Sequence, residues 1–299
     1  MSRRVKILLS AGVVVGLLLI LFAVFGSAGK NDAFQPQNEF KLDPWISIHL
    51  GPLDLSINKA VLYLWIAAAL TIGTMLWIAN RMTARPNRIQ TAVEAAFLLM
   101  RDTITRGNMD DRMARRWFPF VGTLFLFIWF SNMIGYIPLP TNTHETFNLF
   151  GIAVPSFAIY AATANISVPL VLTLVVWVAY HVEGVRAKGF RGYLKSWIPA
   201  GTPRGLRPGI FVIEVISQFV RIISLSVRLF ANILAGHLLI LFMGGGLVVL
   251  LGLAALGALT LPVAVAFFLF EVVLISTLQA FIFATLTAIY FGGAVAESH

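Results

Sequence analysis

The chain of 299 residues has no cysteine, only 12% charged residues and only 13 acids. Without cysteine there are no disulfides, no thiolate metal sites and no cysteine nucleophile. His49, His144, His181 and His237 lie in separate segments with no HExxH-type pair. That pattern speaks against an intramembrane metalloenzyme, and neither a metal nor a cofactor is expected. Soluble domains carry about 25% charged residues. A chain that is 59% hydrophobic holds more apolar side chain than a soluble domain of this size can bury. A secreted disulfide scaffold, a cytosolic enzyme and a disordered chain are therefore excluded. Internal repeats of the kind that mark many secondary transporters are also missing.

What the sequence has instead is apolar length. A bilayer-spanning helix needs about 20 predominantly apolar residues. Such runs cover 7–25, 60–80, 117–137 and 166–182, and 210–291 is apolar almost throughout. Gly244-Gly245-Gly246 and Pro262 break this last stretch, and the glycine run reads as the turn of a hairpin. The pattern predicts an all-α polytopic membrane protein of about five to six membrane helices, the last two long. Residues 1–28 read as an N-terminal apolar helix, which the length favours, or as a signal peptide with Gly26-Ser27-Ala28 at a cleavage site. Residues 29–299 read as one membrane domain, with a Pro/Asn/Thr loop at 138–165 that holds the short apolar segment 148–162. The aromatic run 117–130 faces lipid or packs in the core.

Net charge is +9, and the basic residues sit beside the spans, which points to membrane topology rather than nucleic acid. Loop 81–116 holds eight arginines and loop 184–209 six basic residues, whereas 138–165 holds none. The positive-inside rule puts 81–116 and 184–209 in the cytoplasm and 26–59 and 138–165 outside, and an up-and-back pair of final helices returns the C-terminus to the cytoplasm.

Of the ionisable groups, only Glu214, Glu271, Arg221 and Arg228 lie well within apolar sequence. A charge at mid-bilayer costs about 2.5–3.5 kcal/mol on insertion scales, so such residues are functional candidates. On a helix over 211–240, Glu214, Ser217, Arg221, Ser224, Arg228 and Asn232 fall within a stripe about 80° wide. Gln218 lies at its edge, and His237 lies opposite Arg228. Arg221 and Glu214 have a bland alternative, pairing with other helices as membrane glue, and Arg221 another, snorkelling to the interface. Arg228 has no carboxylate three or four residues away and stays protonated, which calls for a negative partner elsewhere. His237 and Glu271, on the two arms of the expected hairpin, form a plausible proton relay.

The run Ser224-Leu-Ser-Val-Arg228-Leu-Phe-Ala-Asn232-Ile-Leu-Ala-Gly236-His237 resembles the signature of the a subunits of F-type ATP synthases. Phe130-Ser-Asn132-Met-Ile-Gly135-Tyr-Ile-Pro138 is similar to that family's third-helix motif, and Leu278-Gln279 through Tyr290 to its C-terminal motif. The resemblance spans about 60–290. It implies a stationary proton-channel subunit, not an enzyme on its own, in a cell (inner or plasma) membrane. Its last two helices would form a tilted hairpin against the c-subunit ring. The implied partners are that ring, the b subunits of the peripheral stalk, the F1 sector indirectly and the lipid bilayer. The amphipathic segment 90–105 would dock on the membrane surface or on that stalk.

The resemblance also implies roles. Arg228 matches the essential arginine, and Glu214 an acid on the cytoplasmic exit side. Asn232 and Gln279 match polar residues near that arginine, and His237 and Glu271 a swapped Glu/His pair. Ser217, Arg221, Ser224, Asn165 and Glu145 are accessory candidates. Two departures stand out. Glu271 precedes Gln279 by eight residues rather than seven, which on a regular helix turns Glu271 by about 100°. Asn165 stands in a stretch where an Asp is expected, so proton entry would use water or His144 and Glu145. The rival to this reading is an ion-coupled secondary transporter.

Overall fold

A computed structural model of the chain describes residues 44–51, 53–82, 87–137, 160–199, 201–246 and 256–296, the backbone of 146–149 and 152–155, and isolated residues before Pro44. Most of the expected first span at 7–25, and His144 and Glu145, lie outside them. The architecture is all-α. Helix α1 covers Lys59–Arg81, α2 Arg88–Leu98 with a π-helical continuation Leu99–Arg106, and α3 Asp111–Ile134. Helix α4 covers Ser167–Ser196, α5 Arg207–Leu241 with a short continuation Phe242–Gly246, α6 Leu256–Phe270, and α7 Ser276–Val295. The π-helical turn Glu271–Ile275 joins α6 to α7. Two antiparallel hairpins lie in the connections: β1 (His49–Leu50) with β2 (Leu53–Asp54), and β3 (Thr146–Leu149) with β4 (Ile152–Pro155). Among the described residues, five helical stretches are long and apolar enough to cross a membrane: Lys59–Asn80, Asp111–Ile134, Ser167–Ser196, Arg207–Gly246 and Thr260–Val295.

The helix starts follow local chemistry. Asn58, Asn87 and Asp110 each accept a hydrogen bond from a backbone N–H of the first turn that follows, at Val61, Gln90 and Arg112. Such caps satisfy donors that a helix start leaves open. Two helices run further than hydropathy suggested. Helix α3 begins at Asp111, so Arg112, Arg115 and Arg116 are helical rather than loop, and α4 continues through 183–196. Apolar windows detect only the lipid-length part of a helix, and its amphipathic extension escapes them. Of the short apolar segment 148–162, the described residues 148–149 and 152–155 belong to the β3–β4 hairpin.

Contacts divide the chain into two units, one holding the described residues of 44–139, 159–233 and 275–299. In it α3 packs on α1 and α7, and α4 on α7. Ala280, Ala284 and Ala288 repeat every fourth residue of α7, all fully buried, beside Phe283 and Phe291. Small residues on such a row let helix axes approach closely, which replaces the hydrophobic effect as the source of packing inside a bilayer. Trp117 of the aromatic run rests on Phe291 at 4.1 Å between ring centres, so that end of the run is core.

The segment 90–105 does not lie free. Met100, Ile104 and Thr105 are buried, and 99–106 packs on α3 and α7. The exposed side of this turn carries Asp102, which accepts bonds from Arg101 and Arg106, each at 3.0 Å. The bond from Arg101 holds its carboxyl below the usual range. Across the same unit, Lys59 is buried with its Nζ 5.2 Å from the centre of the Tyr160 ring. Burial pushes the Tyr160 phenol up to about 12.

Helix α4 is kinked at Gly189, whose φ of 71° suits only a residue without a Cβ. The turn beyond the kink brings Tyr193 onto Gly184, where a Cβ would collide with the ring. Just before the kink, Lys188 Nζ donates to the carbonyl of Ala296 at 2.6 Å, beyond the end of α7. The second unit holds the described residues of 234–274 and the β3–β4 hairpin. In it Phe242–Gly246 packs on α6.

Candidate functional site

Helix α5 carries a polar stripe along an otherwise apolar surface. Val212, Ile213, Ile216, Phe219, Val220 and Ile223 all expose more than half of their surface. Such a face is stable only under lipid or a partner protein.

The first half of the stripe opens on a cavity of about 340 Å³ shared with α4 and α7, lined by Glu214, Gln218, Arg221, Tyr180, Tyr193, Tyr290 and others. Glu214 Oε1 accepts from Arg221 Nη2 at 3.2 Å and from Gln218 Nε2 at 2.8 Å. Gln218 Oε1 in turn accepts from the Tyr180 hydroxyl at 2.6 Å. The Arg221 guanidinium lies over the Tyr290 ring, 5.2 Å from its centre. Arg221 and Glu214 therefore pair with each other, while Arg221 also meets another helix at the Tyr290 ring. Two long side chains bridge the two helical turns between them, and the α7 contact of Arg221 is aromatic.

The second half of the stripe is different. Ser224 is exposed, with its hydroxyl on the Arg221 carbonyl at 3.3 Å. Arg228 and Asn232 are exposed. Among the described residues, Arg228 makes no hydrogen bond, ion pair or ring contact. Leu229 and Ile233 beside it are buried, so the helix is anchored while the guanidinium stays outside the packing.

A separate polar cluster joins α3 to α7. Asn132 is fully buried; its Oδ1 accepts from Thr163 Oγ1 at 2.7 Å and its Nδ2 reaches the Ser276 carbonyl at 3.4 Å. Trp129 Nε1 donates to Thr277 Oγ1 at 3.1 Å. Gln279 is buried one turn further along α7. Asn165 accepts from the Ser167 N–H at 3.0 Å, at the start of α4. Ser217 is half-buried and does not line the cavity.

In the 234–274 unit, the Glu271 carboxylate occupies the space that a Cβ on Gly236 would need. Gly236 immediately precedes His237, so the two candidate relay residues belong to one neighbourhood; both are half-buried and both are engaged. Glu271 opens the π-helical turn. A π turn holds about one residue more than an α turn. The 100° rotation assumed regular α geometry, which this turn does not have.

Sequence reasoning gave no role to Asn132, Tyr180 or Tyr290, and left Gln218 at the edge of the stripe. The available signal for Gln218 was its place four residues after Glu214, the spacing that brings helical side chains together.

The family model described as ATP synthase A chain matches residues 61–292. The ATP synthase subunit a of Rubrobacter xylanophilus is 36% identical over 247 residues, which cover 82% of this chain and 86% of the relative. That of Myxococcus xanthus is 35% identical over 252 residues, 83% of this chain and 76% of its own. That of Parvibaculum lavamentivorans is 32% identical over 269 residues, 88% and 94%. With this match over nearly all its described helices, the chain belongs to the ATP synthase A chain family and is a multi-pass membrane subunit of that complex.

Proposed function

We propose that the chain is the stationary proton-conducting subunit of an F-type ATP synthase, and that Arg228 couples proton passage to rotation of a ring of c subunits. The observation that carries this reading is the exposed Arg228, unpaired among the described residues, on an apolar helix face and seven residues from an arginine that is paired with Glu214. Family membership favours it over an ion-coupled secondary transporter. A guanidinium cannot deprotonate, and with no counter-charge beside it among the described residues, in this reading that role falls to a ring carboxylate. At about 4 Å and an effective dielectric near 20, the attraction is about 4 kcal/mol before desolvation. It favours the ionised carboxylate and so promotes proton release beside Arg228. The same charge repels free protons and keeps two half-channels from short-circuiting.

In this scheme protons leave towards the cytoplasm through the cavity at Glu214 and enter from the outer side by way of His237 and Glu271. Asn232 and Gln279 flank the arginine. Loops 81–116 and 184–209 and the C-terminus are cytoplasmic. Residues 29–299 act as one membrane domain that also meets the b subunits and, through them, the F1 sector, and 1–28 form an N-terminal helix or signal peptide. A membrane potential adds about 2.3 kcal/mol per charge per 100 mV to the driving force.

The test is Arg228→Ala in the assembled complex, with ATP-driven proton pumping and passive proton flux measured in vesicles. Loss of pumping with assembly intact is expected. Pumping at the wild-type rate would refute the coupling role.

A further inference from the structure

Glu214 uses its two oxygens unequally. Oε1 accepts both side-chain bonds, from Gln218 at 2.8 Å and from Arg221 at 3.2 Å. Oε2 has no hydrogen-bond partner among the described residues, on a side chain that lines the cavity and is 28% exposed. Gln218 is 4% exposed, and a buried amide needs both ends satisfied. A glutamine amide can face its neighbour with either end. If its oxygen faced Glu214, two acceptors would oppose each other. The Glu214 carboxylate, an acceptor only, takes the NH₂ end, and the Tyr180 hydroxyl satisfies the other end by donating to Gln218 Oε1 at 2.6 Å. Tyr180 is itself buried, between the rings of His181 and Tyr290. Its hydroxyl therefore has little freedom to turn elsewhere.

We infer that Gln218, aligned by Tyr180, is a positioning residue that occupies Glu214 Oε1 and leaves Oε2 as the oxygen that exchanges the proton. The inference rests on the reading of Glu214 as the exit-side acid. An oxygen that already accepts two N–H donors takes a proton only by losing one of them, whereas Oε2 takes it without rearrangement. A hydronium arriving from the Arg228 side gives up its proton: its O–H bond breaks to leave water, and an O–H bond forms at Oε2. That new bond breaks when the proton passes to water in the cavity as hydronium, and the carboxylate is restored with its Gln218 and Arg221 bonds intact. Arg221 cannot do this alone. Its long side chain reaches Glu214 across two turns, and the buried amide is what holds the carboxyl plane.

The test is ATP-driven proton pumping by the assembled complex in vesicles, for Gln218→Leu, Tyr180→Phe and the pair, in the wild-type and Glu214→Gln backgrounds. Gln218→Leu removes a bond to a charged group and lowers pumping about tenfold. Tyr180→Phe lowers it about threefold, and the pair falls no lower than Gln218→Leu alone, because Tyr180 acts through Gln218. On Glu214→Gln neither change has a further effect. An equal further loss there would mean that both residues serve packing, and would overturn the inference. Wild-type pumping by Glu214→Gln itself would instead remove Glu214 from the path, refuting the exit reading. If Glu214→Gln pumps too little to measure, the Glu214 carboxyl band in infrared difference spectra decides. A band that shifts in Gln218→Leu supports the assignment, and an unmoved band overturns it. Tyr180→Phe removes a single oxygen, and serves if Gln218→Leu does not assemble.

Discussion

Arg221 and Arg228 lie on one face of α5, two turns apart, and only Arg221 is neutralised within the chain: its Nη2 is 3.2 Å from Glu214 Oε1, while Arg228 has no partner among the described residues. Two cations of the same type thus have different requirements. Lysine at 221 keeps a charge near Glu214, in a pair that is about one-third exposed on each side, and should retain a substantial part of ATP synthesis. Lysine at 228 loses the planar fork and can deprotonate when desolvated, and should abolish coupled synthesis. Rates of ATP synthesis in energised vesicles, normalised to assembled complex, decide. Equal effects of the two substitutions would contradict the distinction.

Gly236 should be needed for activity more than for stability. Its missing Cβ leaves room for the Glu271 carboxylate, the mobile end of a side chain that can move aside. Gly236→Ala is expected to leave the melting temperature of the complex within a few degrees. Proton pumping should fall by about tenfold or more, because small displacements of a reacting group are costly. A stable variant with normal pumping would show that the position of Glu271 is not critical.

Two adjacent glycines of α7 should respond in opposite ways. A Cβ on Gly292 would run into the backbone carbonyl of Asn108, whereas one on Gly293 meets nothing within 4 Å. Gly292→Ala must move backbone and should cost about 1–3 kcal/mol. Gly293→Ala should be neutral or gain up to about 1 kcal/mol from helix propensity. Thermal unfolding of the purified complex, with subunit levels in membranes, separates the two.

The order of the turn at 99–106 should depend on acid. Asp102 titrates below its ordinary value of 3.8, chiefly through its bond from Arg101. A lowered carboxyl contributes above that ordinary value and loses its contribution as pH falls through the lowered one. Amide exchange across 99–107, corrected for intrinsic rates, should therefore accelerate only below about pH 4. Asp102→Asn should show the same loosening at neutral pH. The same protection in Asp102→Asn and wild type at pH 7 would rule this out.

Much of this was legible in the residues. The spans at 60–80 and 210–291 are set by apolar length, and the stripe from Glu214 to Asn232 by helical periodicity. What periodicity supplies is azimuth. It places Arg221 and Glu214 on one line but not whether their side chains span the rise of about 10 Å between them. Nor can it anticipate a local change of winding such as the π turn at Glu271–Ile275. Contacts such as Thr163 to Asn132, 31 residues apart, depend on how helices are brought together. Hydropathy says nothing about the polar atoms that fasten them. The helix ends at 111–116 and 183–196 were hidden for the opposite reason, being too charged for an apolar window.

The clasp between Lys188 and the Ala296 carbonyl joins residues 108 positions apart. On a ribosome making about 5–20 residues per second, roughly 5–20 s pass between the synthesis of its two halves. During that interval Lys188 offers only its charge, which is all that orienting a nascent chain requires. In the proposed cytoplasmic placement of this region, one side chain would serve first as an address label and later as a latch. The delay means that this latch on the extension of α4 closes only after Ala296 has been made.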